Sequence, residues 1–477
     1  MSAKLQSVHV RINDAATGKP TPVRVRFTDE AGTYYAPLGR LAQFSDERGM
    51  DVGGNTRIDG DAWAYVEGAF EILLPPGRFR VQVAKGPEYR AIDEWMTVQA
   101  GRLSMRLTIE RFIDMRAEGW HSGDVATYFL SPHAALLEAA AEDLAVLNLL
   151  AVEENGGDVS ALANICAFSG QKPALEMPGH LVAVNTHNES ELGDLILLHA
   201  HRVVYPLSFR IATDSWILED WCDQCHRKKG LVLADNWIES LIDEDPDEVL
   251  AEIVRGKIDG LVGIAPELIQ CWYDLLNAGI RSPMAGASRK DANRAVVGGS
   301  RSYAYLGKEN RSPSYGDWIE AMRTGRSFRT NGPLMLARFG EFLPGDVVSA
   351  ERAKQGLDFD VVVRSAVPVE DVEIIQNGHV VDRLKGENPR SSFRWAEGTG
   401  GWIAARCMSA DGEHWAHTNP VYIEGAVWPE RAEARAYLLA KIERMLTWAR
   451  QPGNVTDDRA REHLIQVHLE AKNALRA

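Results

Sequence analysis

The sequence predicts an α/β protein in which a central βα barrel lies between two β-sandwich domains and is followed by a helical tail. Three changes of hydrophobic pattern predict this fold class. Apolar and polar residues alternate up to about residue 110, short apolar runs alternate with amphipathic stretches over residues 111–340, and strand-like alternation returns over residues 341–425. Residues 426–477 show apolar spacings of three and four, which are typical of helices. We therefore expect an N-terminal sandwich (1–110), a barrel (111–340), a C-terminal sandwich (341–425) and a helical tail (426–477).

The size and charge of the chain limit its classes of function. A chain of 477 residues exceeds one ordinary core, and 45% apolar with 25% charged residues is typical of a globular protein. The net charge of −15 argues against nucleic acid, because phosphate binding needs a basic surface. Neither a signal-peptide core nor a membrane-spanning run is found. We expect a cytoplasmic protein with a small-molecule substrate and with no nucleic-acid or membrane partner; its oligomeric state stays open.

The N-terminal sandwich is predicted from period-two alternation. Residues two apart on a strand face the same side, so this pattern gives strands with one buried face. Turn residues such as Thr17-Gly18 and Pro75-Pro76-Gly77 separate the runs. The alternating apolar residues are Val8, Val10, Ile12, Val23, Val25, Phe27, Phe79, Val81 and Val83.

The barrel is predicted from short runs that are apolar on both faces, as expected of parallel strands covered by helices. Amphipathic stretches at 216–229 and 246–256 lie between them. The runs are 144–152, 181–184, 195–198, 231–234 and 261–264. We expect the carboxyl ends of these strands to lie together at the mouth of the barrel.

The last part of the chain is predicted from a turn signal and from helical spacing. Asn377-Gly378 between two strand-like runs indicates a hairpin within the second sandwich. Two closing helices are expected over 430–450 and 457–475. Their apolar stripes are Ala436, Leu439, Ile442 and Leu446, then Leu464, Val467, Ala471 and Leu475.

Short motifs spread over residues 120–333 carry a family resemblance. They are Trp120-His121-Ser122-Gly123-Asp124, Phe129-Leu130-Ser131-Pro132, Ala141-Glu142-Asp143-Leu144, 220–226, Gly256-Lys257-Ile258-Asp259, Trp272-Tyr273, Leu276-Asn277, Arg301-Ser302-Tyr303-Ala304 and Thr330-Asn331-Gly332-Pro333. In this combination the chain resembles the CehA/McbA-type metallohydrolases of the polymerase-and-histidinol-phosphatase (PHP) superfamily. The resemblance covers most of the central domain, and the flanking sandwiches look similar to the accessory domains of that family.

This resemblance implies a distorted βα barrel and metal-assisted hydrolysis of esters, carbamates or phosphoesters, with the metals at the carboxyl ends of the strands. The chain departs from the family pattern at two places. Ala126 and Tyr128 stand where the family has two histidines, and neither can replace an imidazole on a zinc-like ion. Where many members have a serine-aspartate pair, this chain has Ser288-Arg289, with Asp291 two residues later. The first metal half-site is therefore expected to be missing.

Residues of metal-ligand type follow several predicted strands. His199 and His201 stand two apart after the run 195–198, so that both imidazoles could bind one ion, and Asp235 ends the next predicted strand. His187 and Glu267 follow two further runs. We expect these five residues to hold a divalent metal ion (zinc, manganese or iron), with Asn185 or Asp194 orienting a ligand. The alternative for a histidine pair on a loop is a solvated or hydrogen-bonded role.

Asp235 and Asp124 are the candidate catalytic carboxylates, although Asp124 could instead cap the turn that follows it. The loop that contains Arg289, Lys290 and Arg294 is basic within an acidic protein. These side chains could orient an anionic substrate through charged hydrogen bonds. The alternative is an ordinary solvated run of charges.

Two functions from different classes compete. The first is a metal-dependent hydrolase with a rearranged site, in which the ion lowers the pKa of bound water. The second is a catalytically inactive relative that binds a ligand or partner. Ala126 and Tyr128 favour the second, whereas the acids and histidines at strand ends favour the first.

Overall fold

The computed structural model describes residues 5–50, 52–156, 159–211, 214–242, 247–309, 314–385, 390–393, 398–425, 427–451 and 453–477. Residue 246, the first of the amphipathic stretch 246–256, lies outside this set. The fold is mixed α/β, with more residues in strands than in helices.

The N-terminal part consists of two sheets that share one apolar core, as the alternation predicts. Strand order is β5-β1-β9-β7 in one sheet and β3-β4-β2-β6-β8 in the other. Val10, Phe27 and Val81 are fully buried between them. The strands are β1 (Gln6–Asp14), β2 (Val23–Asp29), β3 (Asn55–Ile58), β4 (Asp61–Val66), β5 (Ala69–Leu74), β6 (Gly77–Ala84), β7 (Tyr89–Arg90), β8 (Ile92–Val98) and β9 (Ser104–Arg111).

The central part is a sheet with helices against it. The elements in chain order are β10 (Trp120–Thr127), α1 (Pro132–Ala141), β11 (Val146–Gly156), β12 (Val159–Ala163), β13 (Leu175–Met177), β14 (His180–Ser190), β15 (Gly193–Leu198), β16 (Ser208–Phe209), α2 (Leu218–Arg227), β17 (Leu231–Asp235), α3 (Glu239–Ile242), α4 (Val249–Val254), β18 (Gly260–Val262), α5 (Ile269–Asn277), β19 (Met284–Ala285), β20 (Arg301–Tyr305), α6 (Tyr315–Arg323) and β21 (Ser327–Thr330). Leu150, Leu233 and Val262 pack with Trp318 of α6 in one apolar cluster.

Parallel pairing places several strand ends together. β10 runs parallel to β11, β11 to β14, β17 to β18, and β18 to β19. The segment after β19 returns to β10, where Ala126 O accepts a hydrogen bond from Arg289 N (3.1 Å) and Thr127 bridges Lys290 in parallel. We call the edge at which β10, β14, β17 and β18 end the carboxyl edge of the central sheet.

One strand runs in the opposite direction to its prediction. β14 and β15 form an antiparallel hairpin in which Ser190 faces Gly193, and β15 is also antiparallel to β17. The carboxyl end of β15 therefore lies at the amino edge of β17. The expectation that the run 195–198 is a parallel strand is wrong, because the chain turns back through residues 191–192.

The C-terminal part continues the same sheet. β21 pairs with β29, so that the sheet runs from the central part into the strands that follow. The Asn377-Gly378 hairpin is confirmed: Gln376 faces His379 across it. The elements are β22 (Leu334–Phe339), β23 (Val347–Val348), α7 (Ala350–Lys354), β24 (Leu357–Arg364), β25 (Val369–Gln376), β26 (His379–Leu384), β27 (Arg390–Phe393), β28 (Gly401–Ser409), β29 (Trp415–Thr418) and β30 (Val421–Ile423).

Two helices close the chain, as predicted, although the buried stripe of the first helix contains Leu438 and not Ala436, which is exposed. α8 (Arg431–Ala449) and α9 (Asp458–Arg476) pack on each other and against α4 and α5. Leu438, Ile442, Leu464 and Val467 are buried in this contact. No helix in the described ranges has the length and apolarity needed to cross a membrane.

Two stretches of the N-terminal part, residues 45–50 and 52–57, bind the loop after β19. Asn293 Nδ2 donates to Ser45 O (2.9 Å), and Arg294 donates to Asp46 O (3.0 Å). In return Gly49 N donates to Asp291 O (3.0 Å). The loop that carries Arg289 is thus held by two parts of the molecule.

Candidate functional site

The carboxyl edge gathers a group of polar side chains on the face of the sheet that also carries Ile196 and Leu233. Asp194 faces Asp235 across the β15–β17 pair, and His187 faces Ile196 across the β14–β15 pair. Side chains two apart on a strand share a face, so His187, Asp194 and Asp235 point to the same side. Burial raises the pKa of Asp194 to about 6, and the nearby acids Glu189 and Asp235 act in the same direction.

Asp235 is paired with Arg289. Nε of Arg289 donates to Oδ1 of Asp235 (2.9 Å), and a second guanidinium nitrogen donates to the same oxygen. The Asp235 side chain is 4% exposed and the Arg289 side chain 39% exposed. Arg289 adopts a left-handed backbone conformation (φ 50°), which is uncommon for a non-glycine residue. Its backbone N–H is bound to Ala126 O and its guanidinium to Asp235, so both ends of the residue are fixed.

Tyr128 and His187 form the second contact of the site. The Tyr128 hydroxyl lies 3.2 Å from Nδ1 of His187, and both side chains are buried. Burial lowers the pKa of His187, although Asp235 and Asp194 oppose this effect. Nε2 of His187 is buried and has no hydrogen-bond partner in the described part of the chain. The imidazole is thus neutral at neutral pH, with one nitrogen free for a ligand.

Asp124 is fully buried beneath this group. Its carboxylate accepts hydrogen bonds from the backbone N–H of Ala126 (3.1 Å), Ser288 (3.1 Å) and Gly298 (2.8 Å). Burial raises its pKa to about 6 against the effect of these donors. Of the two roles left open by the sequence, the geometry matches the turn-capping one: Asp124 fixes the end of β10 and the loop after β19.

The basic loop does not present three free cations. Lys290 is 0% exposed: its ammonium donates to Ala295 O (2.7 Å) and lies 3.3 Å from Glu138 Oε2. Arg294 is exposed but binds Asp46 O and Asp291. The expectation that Lys290 and Arg294 orient a substrate at the strand ends is wrong, because Lys290 points into the core and Arg294 binds the N-terminal part.

His199 and His201 lie at the opposite edge from Asp235. Nδ1 of each imidazole donates to a backbone carbonyl of the turn after α2: His199 to Lys229 O (3.4 Å) and His201 to Lys228 O (3.0 Å). Because β15 is antiparallel to β17, five residue positions separate His199 from Asp194, the neighbour of Asp235. At ~3.3 Å per residue this is roughly 16 Å. The expectation that these histidines share an ion with Asp235 is therefore wrong.

Glu267 is also separate from this group. It is exposed on a 3₁₀ turn (Pro266–Leu268) after β18. There it lines a cavity of about 400 Å³ together with Glu370, Arg406 and Trp415 of the C-terminal part. Of the five expected metal ligands, the structure brings only His187 and Asp235 to the same side of the same edge.

Arg329 is a residue of this edge that the sequence argument missed. It lies on β21, and its guanidinium stacks on the Trp415 ring, 4.6 Å from the ring centre. It donates to Ile264 O, just beyond the end of β18, and to Ser300 Oγ (3.1 Å). A period-two pattern could have suggested it, since Phe328 and Thr330 are the core-facing neighbours of an arginine on a buried strand.

Comparison with known proteins adds no family. No family model matches the sequence, and no curated protein matches it. A solved structure of an engineered protein matches at 20% identity over 19% of this chain, with a TM-score of 0.15. This chain covers 20% of the length of that engineered protein. A likeness so short and so low carries no argument about fold or function.

The donor set at the carboxyl edge does not fit the divalent ion that the family resemblance implies. The carboxylate of Asp235 is already neutralised by Arg289, and Nδ1 of His187 is in contact with Tyr128. Ala126 offers no donor atom. Within the described ranges, no three His, Cys, Asp or Glu side chains come together as ion ligands. The guanidinium of Arg289 is bound to Oδ1 of Asp235, the carboxylate to which a metal ion would have to bind.

Proposed function

We propose that this protein is a ligand-binding relative of the CehA/McbA-type metallohydrolases, in which the central sheet closes as a distorted PHP-like βα barrel. Its ligand is a small anionic molecule bound at the carboxyl edge. In this proposal the ion of the parent enzymes has been replaced by the guanidinium of Arg289. The observation that carries it is the Arg289–Asp235 ion pair.

The ion pair supports this proposal through its charge and its burial. A buried carboxylate needs a positive partner, and in a metallohydrolase the ion supplies that charge. Here the covalently attached guanidinium supplies it, and Arg289 is in the position where many family members have aspartate. Tyr128 contributes to the same replacement: it stands where the family has a histidine ligand, and its ring packs against His187, with ring centres 5.6 Å apart.

The test of this proposal is the metal content of the purified, untagged protein, measured by plasma mass spectrometry after growth with added zinc, manganese or iron. We expect far less than one ion per chain. Arg289→Ala should increase uptake because it frees Asp235, whereas a His199→Ala/His201→Ala double variant should match the wild type. A stoichiometric ion in the wild type that is lost on Asp235→Asn would contradict the proposal.

A second candidate function, hydrolysis of an ester, carbamate or phosphoester, is favoured by one observation. When the proton of neutral His187 is on Nδ1, facing the Tyr128 hydroxyl, Nε2 is the nitrogen that would accept a proton from a water admitted with the substrate, as a general base must. Assays of a panel of these esters with and without added metal, on wild type and His187→Gln, test it. Turnover that disappears in His187→Gln would support hydrolysis, and no turnover of any substrate would favour binding alone.

A further inference from the structure

Arg329 is held rigidly by its surroundings. Trp415 covers one side of its guanidinium, and Gly263 lies on another. A Cβ at Gly263 would come within 2.5 Å of Arg329 Nε, so only glycine leaves room for the side chain there. Together with the hydrogen bonds to Ile264 O and Ser300 Oγ, these contacts fix the direction of the guanidinium.

No carboxylate neutralises Arg329 within the described residues. Asp235 neutralises Arg289, but the acceptors of Arg329 are a carbonyl and a hydroxyl, which carry no net charge. Burial and the neighbouring Arg289 guanidinium lower the pKa of Arg329 to about 10, so it stays charged at neutral pH. Asp194 and Glu189 also lie at this edge, but among the described residues no carboxylate forms an ion pair with Arg329, so its charge lacks a direct partner.

The anchors of the two guanidiniums lie on adjacent strands. Ala234 is the neighbour of Leu261 in the parallel β17–β18 pair. Asp235, which binds Arg289, and Ile264, which binds Arg329, therefore follow at the same edge. Neighbouring strands are about 4.8 Å apart, and Ile264 lies two residues beyond the position opposite Asp235, so the two backbone anchors are roughly 8 Å apart. Two long arginine side chains can bridge that span to one small oxyanion.

A partly buried charge without a counter-ion costs folding free energy, and proteins rarely hold one so firmly unless something binds it. We infer that Arg329 and Arg289 together bind the oxyanion group of the ligand, a carboxylate, sulfate or phosphate. This inference rests on the proposed function and names the chemical group that the site recognises. Two guanidinium forks suit such a group, because each can donate two parallel hydrogen bonds to its oxygens.

Thermal unfolding of the full chain in inorganic phosphate, sulfate, acetate or chloride at equal ionic strength tests the inference. We expect one class of anion to raise the unfolding temperature, either the tetrahedral anions phosphate and sulfate or the carboxylate acetate, whereas chloride should have no such effect. The preferred anion distinguishes a tetrahedral group from a carboxylate. Arg329→Met should weaken binding of the preferred anion about tenfold or more, since it removes charge-assisted hydrogen bonds.

Two further measurements separate binding from a structural role. Without anion, Arg329→Met should unfold at the wild-type temperature or above it, because the variant no longer buries an unpaired charge. A structural arginine would instead give a lower temperature. Arg326→Met is the matched control: that side chain is exposed and pairs with Asp346 (3.1 Å), and its loss should leave the anion effect unchanged.

Gly263→Ala gives an independent variant if Arg329→Met does not fold. It keeps every charge but displaces the guanidinium, and we expect it to lose the anion effect. An anion effect that survives in Arg329→Met or Gly263→Ala would overturn the inference, as would its absence from the wild type. The proposed function can fail separately, because its test is metal content: a stoichiometric ion together with an Arg329-dependent anion effect would leave only the inference standing.

Discussion

At the scale of single residues, Asp124 shows how one buried carboxylate sets the geometry of the carboxyl edge. It receives N–H groups from β10 and from two points of the loop after β19. The two donors in the loop, Ser288 and Gly298, are 164 and 174 residues from Asp124 in sequence. The carboxylate thus positions the backbone that leads to Arg289, although it contacts neither Arg289 nor Asp235 in a hydrogen bond.

Asp124→Ala should lower the free energy of unfolding by about 3 kcal/mol or more, because it leaves three backbone donors without an acceptor. Urea unfolding followed by far-ultraviolet circular dichroism measures this loss. Asp291→Ala is the control on the same loop, since its partners Arg48 and Arg294 are exposed, and should cost about 1 kcal/mol or less. Equal losses in both variants would contradict the role assigned to Asp124.

At the scale of elements, the first turn of α2 is bound by a carboxylate from the residue that precedes α4. Glu248, just before α4, accepts from the backbone N–H of Leu218 (2.8 Å) and Glu219 (3.0 Å) in the first turn of α2. Glu252 of α4 is buried beside it and pairs with Arg255 (2.7 Å). Burial, with repulsion from Glu219, raises the pKa of Glu252 to about 7 even though Arg255 opposes it.

This arrangement predicts a pH dependence of stability with a definite sign. A carboxyl group whose pKa is higher in the folded state favours folding when protonated, so its contribution is present below about pH 4.5 and lost as the pH rises to about 7. Over that interval the loss is up to about 3 kcal/mol. Glu252→Gln should flatten the stability of the wild type between pH 5 and 7, measured by urea unfolding at each pH. A variant with the same slope as the wild type would show that Glu252 is not the titrating group.

The elements that the sequence predicted correctly are those whose signals are local. The alternation of Val8, Val10 and Ile12, the Asn377-Gly378 turn and the two tail helices are each set by neighbouring residues. The direction of β15 was missed, since a run that is apolar on both faces looks the same in parallel and antiparallel pairing. Its signal was the short connection: a parallel crossover needs a dozen residues or more, and β14 ends only three residues before β15 begins.

The site was predictable only where it depends on strand ends. His187 and Asp235 follow apolar runs, and the structure places both at the carboxyl edge. The partners of these residues could not be found in the same way. Arg289 and Asp235 are 54 residues apart, and Tyr128 and His187 are 59 apart. Such pairs depend on side-chain directions within the folded sheet, and no local pattern in the sequence encodes them.

At the scale of the whole molecule, the central and C-terminal parts share one sheet. β21 pairs with β20 on one side and with β29 on the other, and 18 strands are connected in this way among the described residues. Phe328 and Trp120 pack in the same apolar cluster as Val361 and Ile403 of the C-terminal part. Residue 340 is therefore a boundary in the pattern of the sequence but not in the sheet.

A fragment of residues 1–340 should consequently fail to fold as a monomer. It would expose the β21 edge from which β29 has been removed, together with the apolar cluster around Phe328, and unpaired edges of this kind promote aggregation. Size-exclusion chromatography and thermal unfolding, with the full chain as control, measure the outcome. A monomeric fragment that unfolds cooperatively would show that the shared sheet is not needed.

The β14–β15 hairpin makes the position of every later residue depend on the parity of chain reversals. One reversal separates His187 from His199, and a second, through α2, separates His199 from Asp235. After an odd number of reversals a strand ends at the edge opposite to the one where His187 lies. After an even number it ends at the same edge as His187, as Asp235 does. In a related chain, the gain or loss of one hairpin would therefore move the ligand-type residues at the ends of the strands that follow to the opposite edge of the sheet, although their local sequences stay the same.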